Sequence, residues 1–167
     1  MVQAIKACNC IHKFNNELYG YNTDVIGFEK SLLPFLKPHH THALILGTGG
    51  AAAAVQWVLQ KLNIQYQVVS RRGNAFLSYD QLSASVIESH TLIINTSPLG
   101  MFPNVNEAPP IAYDAITANH HLYDLVYNPT DTLFMKNGLA KGATVQNGLD
   151  MLHIQAEESW AIWNAKI

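Results

Sequence analysis

His42-Ala43-Leu44-Ile45-Leu46-Gly47-Thr48-Gly49-Gly50-Ala51-Ala52 is the stretch on which the fold turns. A short apolar run ends at a glycine. Glycines then make a tight turn, and an alanine-rich segment continues with Val55, Val58, Leu59 and Leu62 at helical spacing. Strand, glycine turn and helix in that order open a dinucleotide-binding unit. Gly47 permits the turn, Gly49 lets the backbone approach a pyrophosphate, and the small residues from Gly50 through Ala51 onward let helix and strand pack closely. The helix N-terminus then offers its free N–H groups, and the positive end of its dipole, to phosphates. The bland alternative is a glycine turn with no ligand, but the flanking strand and helix supply the context the motif requires.

The end of the next strand discriminates between dinucleotides. An NAD site places Asp or Glu roughly 20 residues beyond the loop, where it holds the ribose 2′-hydroxyl. Ser70-Arg71-Arg72-Gly73 stands there instead. Two guanidinium groups can pair with a 2′-phosphate and stack on adenine, and no carboxylate is present to repel it. A solvated basic turn is the competing reading. Taken with the loop, the pattern favours NADP.

Outward from this unit, short β-rich runs alternate with helical stretches, which predicts a Rossmann-like, doubly wound α/β fold with a mostly parallel sheet and helices on both faces. Strands are expected at residues 43–46, 66–70, 91–95, 122–125 and 143–146, with a short extra one at 75–77. Helices are expected at 51–62, 81–89, 112–117, 131–140 and 149–165, the fourth capped by Thr130 or Asp131. Residues 96–110 hold four prolines and read as loop. Ahead of the sheet, residues 4–12 alternate like a strand, Asn15-Asn16 marks a turn, and Asp24 opens a helix through Leu36 that Pro38 ends.

Composition excludes several classes. The 167 residues fit one domain, or one domain and a fragment, and 49% are hydrophobic, yet no apolar run approaches the roughly 18 residues of a membrane span. A net charge of −2, from 10 Lys+Arg against 12 Asp+Glu, gives no footprint for nucleic acid. Only 13% of residues are charged, which suggests that part of the surface is covered by a partner or another domain. The start carries Lys6 and Lys13 without a long apolar core, so it is no secretory signal. Cys8 and Cys10, on one extended segment, are poorly placed to bridge, and reduced thiols in a cytoplasmic protein are expected. His39, His40 and His42 invite a metal reading, but with no Cys or carboxylate nearby a solvated turn is expected and no metal.

The remaining motifs resemble one family. Gly20-Tyr21-Asn22-Thr23-Asp24, the glycine loop, Asn95-Thr96-Ser97-Pro98-Leu99-Gly100-Met101, Tyr123-Asp124-Leu125-Val126-Tyr127-Asn128-Pro129 and Asn147-Gly148-Leu149-Asp150-Met151-Leu152-His153-Ile154-Gln155-Ala156 together resemble shikimate dehydrogenase. The resemblance implies reversible reduction of 3-dehydroshikimate by NADPH in aromatic amino-acid biosynthesis. It also implies a substrate domain and a cofactor domain with the active site between them. Asn9, in Lys6-Ala7-Cys8-Asn9-Cys10-Ile11, would bind substrate hydroxyls, Asp24 would pair with a catalytic lysine, Tyr127 would line the cleft and Gln155 would touch substrate. Asn95, Thr96 and Met101 would lie near the cofactor, with Val126 and Gly148 beside its nicotinamide, while Gly47, Thr48, Gly49, Gly50, Ala51, Ser70, Arg71 and Arg72 would hold the rest. Each has a plainer reading. Asp24 can be a helix cap, Asn95 can satisfy backbone groups, Tyr127 can anchor a turn, and Gln155 can sit on a solvated face.

The lysine-bearing segment of that family has no counterpart here. The resemblance therefore implies a remnant of the substrate domain at residues 1–23, a linking helix and turn at 24–41, a cofactor domain at 42–148 and a closing helix at 149–167. Such a chain is expected to bind cofactor yet barely turn over shikimate by itself. Trp160 and Trp163, on one face of the closing helix, would then be exposed and could form dimers. Two other readings stay open: a quinate or shikimate dehydrogenase paralogue using NAD, and a non-catalytic NADP-binding module.

Overall fold

The computed structural model describes residues 2–71 and 76–165. Five strands form one parallel sheet: β3 (His42–Leu46), β4 (Gln65–Val69), β5 (Leu92–Asn95), β6 (His121–Asp124) and β7 (Thr144–Gln146), in the order β4-β3-β5-β6-β7. Helices cover both faces, so the architecture is Rossmann-like. Because neither face meets water, β3 and β5 read as nearly continuous apolar runs, and β6 is buried throughout although it carries His121 and Asp124. Alternate residues still divide between two cores. Ala43 and Ile45 pack with α2 (Thr23–Leu32), α3 (Gly50–Lys61) and Met151 of α6 (Leu149–Asn164), whereas Leu44 and Leu46 pack with Ile87 of α4 (Ala84–Ser89) and Phe134 of α5 (Leu133–Leu139).

After β3 the chain passes to β4 on one side, then crosses back to β5 on the other. The carboxyl ends of β3 and β5 are thus a topological switch point, where open α/β sheets leave a crevice for ligands.

The N-terminal stretch departs from expectation. Residues 4–12 are not one strand: a short helical turn, α1 (Val2–Ile5), precedes β1 (Cys10–Phe14). The Asn15-Asn16 turn is present, both residues at positive φ, and it returns the chain into β2 (Glu17–Tyr21), which pairs antiparallel with β1. Cys8 and Cys10 are both free, but Cys8 is exposed and Cys10 buried.

Three further boundaries move for local reasons. α2 ends at Leu32 and passes into a 3₁₀ turn at Leu33–Phe35, because Pro34 lacks the backbone donor that would continue the helical ladder. α5 is capped by Thr132, whose hydroxyl accepts from the Met135 N–H at 3.3 Å, not by Thr130 or Asp131. Residues 81–89 divide into a 3₁₀ turn at Tyr79–Gln81 and α4, and 112–117 reduce to a 3₁₀ turn at Tyr113–Ala115. Of the expected 75–77 strand, Ala75 lies outside the described residues and Leu77 makes only an isolated bridge to Val69.

The histidines before β3 are not merely a solvated turn. His40 is buried: its Nδ1 accepts from the Lys37 N–H at 3.1 Å, and its Nε2 donates to the Asn119 carbonyl at 3.3 Å. Beside it His121 stacks on Phe35, with ring centres 5.1 Å apart. Burial, reinforced by the His40 ring, lowers the His121 pKa to about 4. Among the described residues no helix is long and apolar enough to cross a membrane.

Candidate functional site

Three depressions follow the carboxyl ends of the strands and the adjoining helix ends. The first, a cleft of about 390 Å³, is lined by Gly47, Thr48 and Gly49 after β3, Val69, Ser70 and Arg71 after β4, Tyr79, and Thr96 to Leu99 after β5. It occupies the switch point.

Gly47 is fixed there by its own backbone. Its φ is +128, and a Cβ would meet the Thr96 hydroxyl oxygen at 2.6 Å. Gly49 and Gly50 differ: a Cβ on either would meet nothing within 4 Å. No protein packing demands glycine at those two positions, so the space left over them suits a ligand that approaches the backbone. Gly49 caps α3 with no side-chain hydrogen bond, and the first turn carries no acidic residue. The N–H groups at this helix end, with Ala51 in the first turn, keep their capacity for an anion. Arg71 lies across the same cleft, beside Tyr79, whose phenol pKa is raised by burial while Arg71 opposes the rise. Arg72 lies outside the described residues. A pyrophosphate at the loop and a phosphate-bearing ribose at Arg71 fit this donor set.

The second depression shares Thr96, Ser97 and Pro98 with the first and adds Met101, Phe102, Leu125, Val126, Tyr127 and Asn128. It is the more apolar continuation, suited to a flat ring. Gly148 belongs to its support: a Cβ there would lie 2.1 Å from the Leu125 carbonyl oxygen, so the start of α6 can press against the loop only as glycine. Asn95 is fully buried and lies beneath the cleft. Its Oδ1 accepts from the Ser97 N–H at 3.0 Å and the Ser97 hydroxyl at 2.6 Å, and its Nδ2 donates to Asp124 at 2.9 Å. Asp124 is equally buried, and desolvation pushes its pKa up to about 6 although Thr132, Val126 and Asn95 all donate to it.

The third depression brings together Asn9, Asp24 and Gln155, with Thr23, Ala156, Ser159 and Trp163. Asn22, not Asp24, caps α2, its side chain accepting from the Val25 N–H at 3.3 Å, and this leaves the Asp24 carboxylate in the first turn to face the pocket. Burial raises the Asp24 pKa, while a hydrogen bond from Asn9 pulls it down. Asn9 is oriented in turn. Its Oδ1 accepts from the Thr23 N–H at 2.8 Å and the Thr23 hydroxyl at 3.3 Å. With the oxygen occupied, the amide presents its N–H₂ toward Asp24 and the pocket.

Sequence reasoning missed Thr23 and Ser159, whose hydroxyls meet at 3.2 Å, and Tyr79 and the Ser97–Leu99 turn in the first cleft. Ser97, Pro98 and Leu99 stood inside a quoted motif without roles; Ser159 carried no signal. Trp160 and Trp163 are exposed by 68% and 53%, as anticipated.

No protein-family model matches the chain. Over 95% of its length it is 35% identical to a shikimate dehydrogenase (NADP(+)) of Methanococcus aeolicus. Among solved structures, a chorismate mutase/shikimate 5-dehydrogenase fusion protein from Clostridium acetobutylicum matches 98% of the chain with a TM-score of 0.86 and 35% identity. The shikimate 5-dehydrogenase of Thermus thermophilus, in complex with NADP(H) and shikimate, matches 99% with a TM-score of 0.82 and 26% identity. The chain is homologous to these enzymes, but it covers 63%, 62% and 65% of their lengths respectively.

Proposed function

We propose that this chain binds NADP in the cleft between Gly47 and Arg71 and forms the cofactor-binding part of an NADP-dependent shikimate dehydrogenase. One observation carries the reading. Gly49 and Gly50 leave open space at a helix N-terminus that no side chain caps, in a cleft whose far wall holds Arg71. That arrangement supplies backbone donors for a pyrophosphate and a guanidinium for a 2′-phosphate.

NADPH, when bound, would supply a hydride to the substrate carbonyl. The chain's own residues would bind and orient the reactants. Met101, Val126 and Tyr127 would line one side of the flat ring, with Gly148 setting the loop that carries Val126. Asn9 turns its amide N–H₂ toward the pocket and Gln155 adds a second amide, so both suit the hydroxyls and carbonyl of a small polyol acid. Asp24, desolvated and held beside Asn9, is placed to orient a proton donor as charge develops on the substrate oxygen. A cation brought next to it would lower its pKa again and keep it ionised. In this reading residues 1–23 contribute to the substrate side, residues 24–41 link the two parts, residues 42–148 hold the cofactor and the closing helix returns to the substrate pocket.

Parallel titrations of the purified chain with NADPH and NADH, followed by nucleotide fluorescence, test the reading. NADPH is expected to bind at least about tenfold more tightly, the worth of one charge-assisted hydrogen bond. Equal affinity would favour the NAD-using paralogue, and no binding of either would end the proposal.

A further inference from the structure

From the bonding around the cleft we infer that Asp124 is a positioning residue for the nicotinamide half of the site, holding the loops that follow β5 and β6 in register. The inference rests on the NADP reading above. Asp124 lines none of the three depressions, yet both its carboxylate oxygens are engaged. Oδ1 accepts from Asn95 Nδ2 at 2.9 Å and from the Val126 N–H at 3.0 Å, and Oδ2 accepts from the Thr132 hydroxyl at 2.6 Å. Asn95 passes the constraint on to Ser97, and its Nδ2 also reaches the Leu99 carbonyl at 3.4 Å.

One buried carboxylate therefore joins three segments: the turn after β5, the turn after β6 and the cap of α5. The first two make the walls that Ser97, Pro98, Val126 and Tyr127 present to the second depression. A carboxylate accepts from all three at once, Oδ1 from two donors and Oδ2 from one. Asparagine is nearly the same shape but has a single acceptor oxygen. At position 124 it would lose the charge that strengthens these bonds, and its N–H₂ would have to face the Thr132 hydroxyl, reversing that bond, or an N–H donor, displacing a wall. Ser97, Pro98 and Leu99 also border the first cleft, but Gly49 and Arg71, on which the phosphate-bearing adenosine end depends, bond to none of these groups.

The test compares two ligands on the full chain by calorimetry: NADP⁺, which spans both ends, and 2′,5′-ADP, which has the phosphate-bearing adenosine end alone. Asp124→Asn is expected to weaken NADP⁺ roughly tenfold and to leave 2′,5′-ADP within about twofold of the parent. Circular dichroism reports whether the variant folds. If it does not, the pair Thr132→Val and Thr132→Ser decides: valine is expected to weaken NADP⁺ selectively, and serine, which keeps the hydroxyl, to restore it. Parallel weakening of both ligands, or no change in either, overturns the positioning role. Failure of the parent chain to bind both ligands instead overturns the NADP reading itself, and the inference with it.

Discussion

Gly47 lies directly beneath Thr96: a methyl group in place of the glycine hydrogen would stand 2.6 Å from the threonine hydroxyl. The contact joins the turn after β3 to the turn after β5 across the switch point. Gly47→Ala should therefore strain the backbone, at a φ of +128, and separate the two turns. A loss of about 2–4 kcal/mol in stability, with loss of NADPH binding, is expected in urea denaturation and fluorescence titration.

Gly49→Ala makes the opposite prediction. Its backbone, at φ −78 and ψ −175, suits any residue, and a Cβ meets open space. Stability should change by less than about 0.5 kcal/mol, because the freedom lost by the unfolded chain offsets alanine's poorer fit at an N-cap. NADPH affinity should nonetheless fall at least about tenfold, the methyl occupying the space where a phosphate approaches the backbone. A variant that kept parental affinity would show that nothing sits on this loop.

Arg71→Ala should separate the two nicotinamide dinucleotides. Loss of a charge-assisted bond to the 2′-phosphate is expected to weaken NADPH by roughly 30-fold and NADH by less than about threefold. Equal losses would mean that Arg71 contributes to the loop and does not read the phosphate.

His121→Gln should change how stability depends on acidity. The folded pKa of His121 is about 4, below the ordinary 6.5, so its neutral form is the one the fold accepts. Above 6.5 this has no cost. As pH falls from 6.5 through 4 the unfolded chain takes up a proton that the folded chain refuses, and stability declines. His40 and His90, lowered by burial, act in the same direction, whereas Asp24 and Asp124, raised by burial, act in the opposite one. From about pH 7.5 to about pH 5 the stability of His121→Gln relative to the parent should therefore rise by about 2 kcal/mol, superimposed on a pH-independent loss of the Phe35 stacking and the Thr144 bond. Denaturation at the two pH values would reveal the difference.

What could be read without coordinates tracks how many faces an element buries. The runs at 43–46 and 91–95 are apolar on both sides because both sides meet helices, and their strands were plain. β2 was invisible: its residues are mostly exposed, and Gly20 between two tyrosines suggests no face. Pro34 was legible in principle and should have stopped α2 early. Asn9, Asp24 and Gln155 were named through a resemblance, but their meeting in one pocket depends on α2 lying against α6, which no local pattern encodes. Asp124 escaped notice because an aspartate at a strand end looks like a solvated charge until its three donors are in view.

The hairpin is tied to the far end of the chain: Trp163 Nε1 donates to the Ile11 carbonyl at 3.0 Å, and His12 Nδ1 lies 2.6 Å from the Ile162 carbonyl. This sets a timetable for synthesis. A ribosome releases everything that lines the Gly47–Arg71 cleft well before residue 155 exists, so a nascent chain can shape its nucleotide seat while Asn9 and Asp24 still lack their opposite wall. The pocket holding Asn9 and Gln155 closes only with α6, so of the three depressions it is the last to be completed.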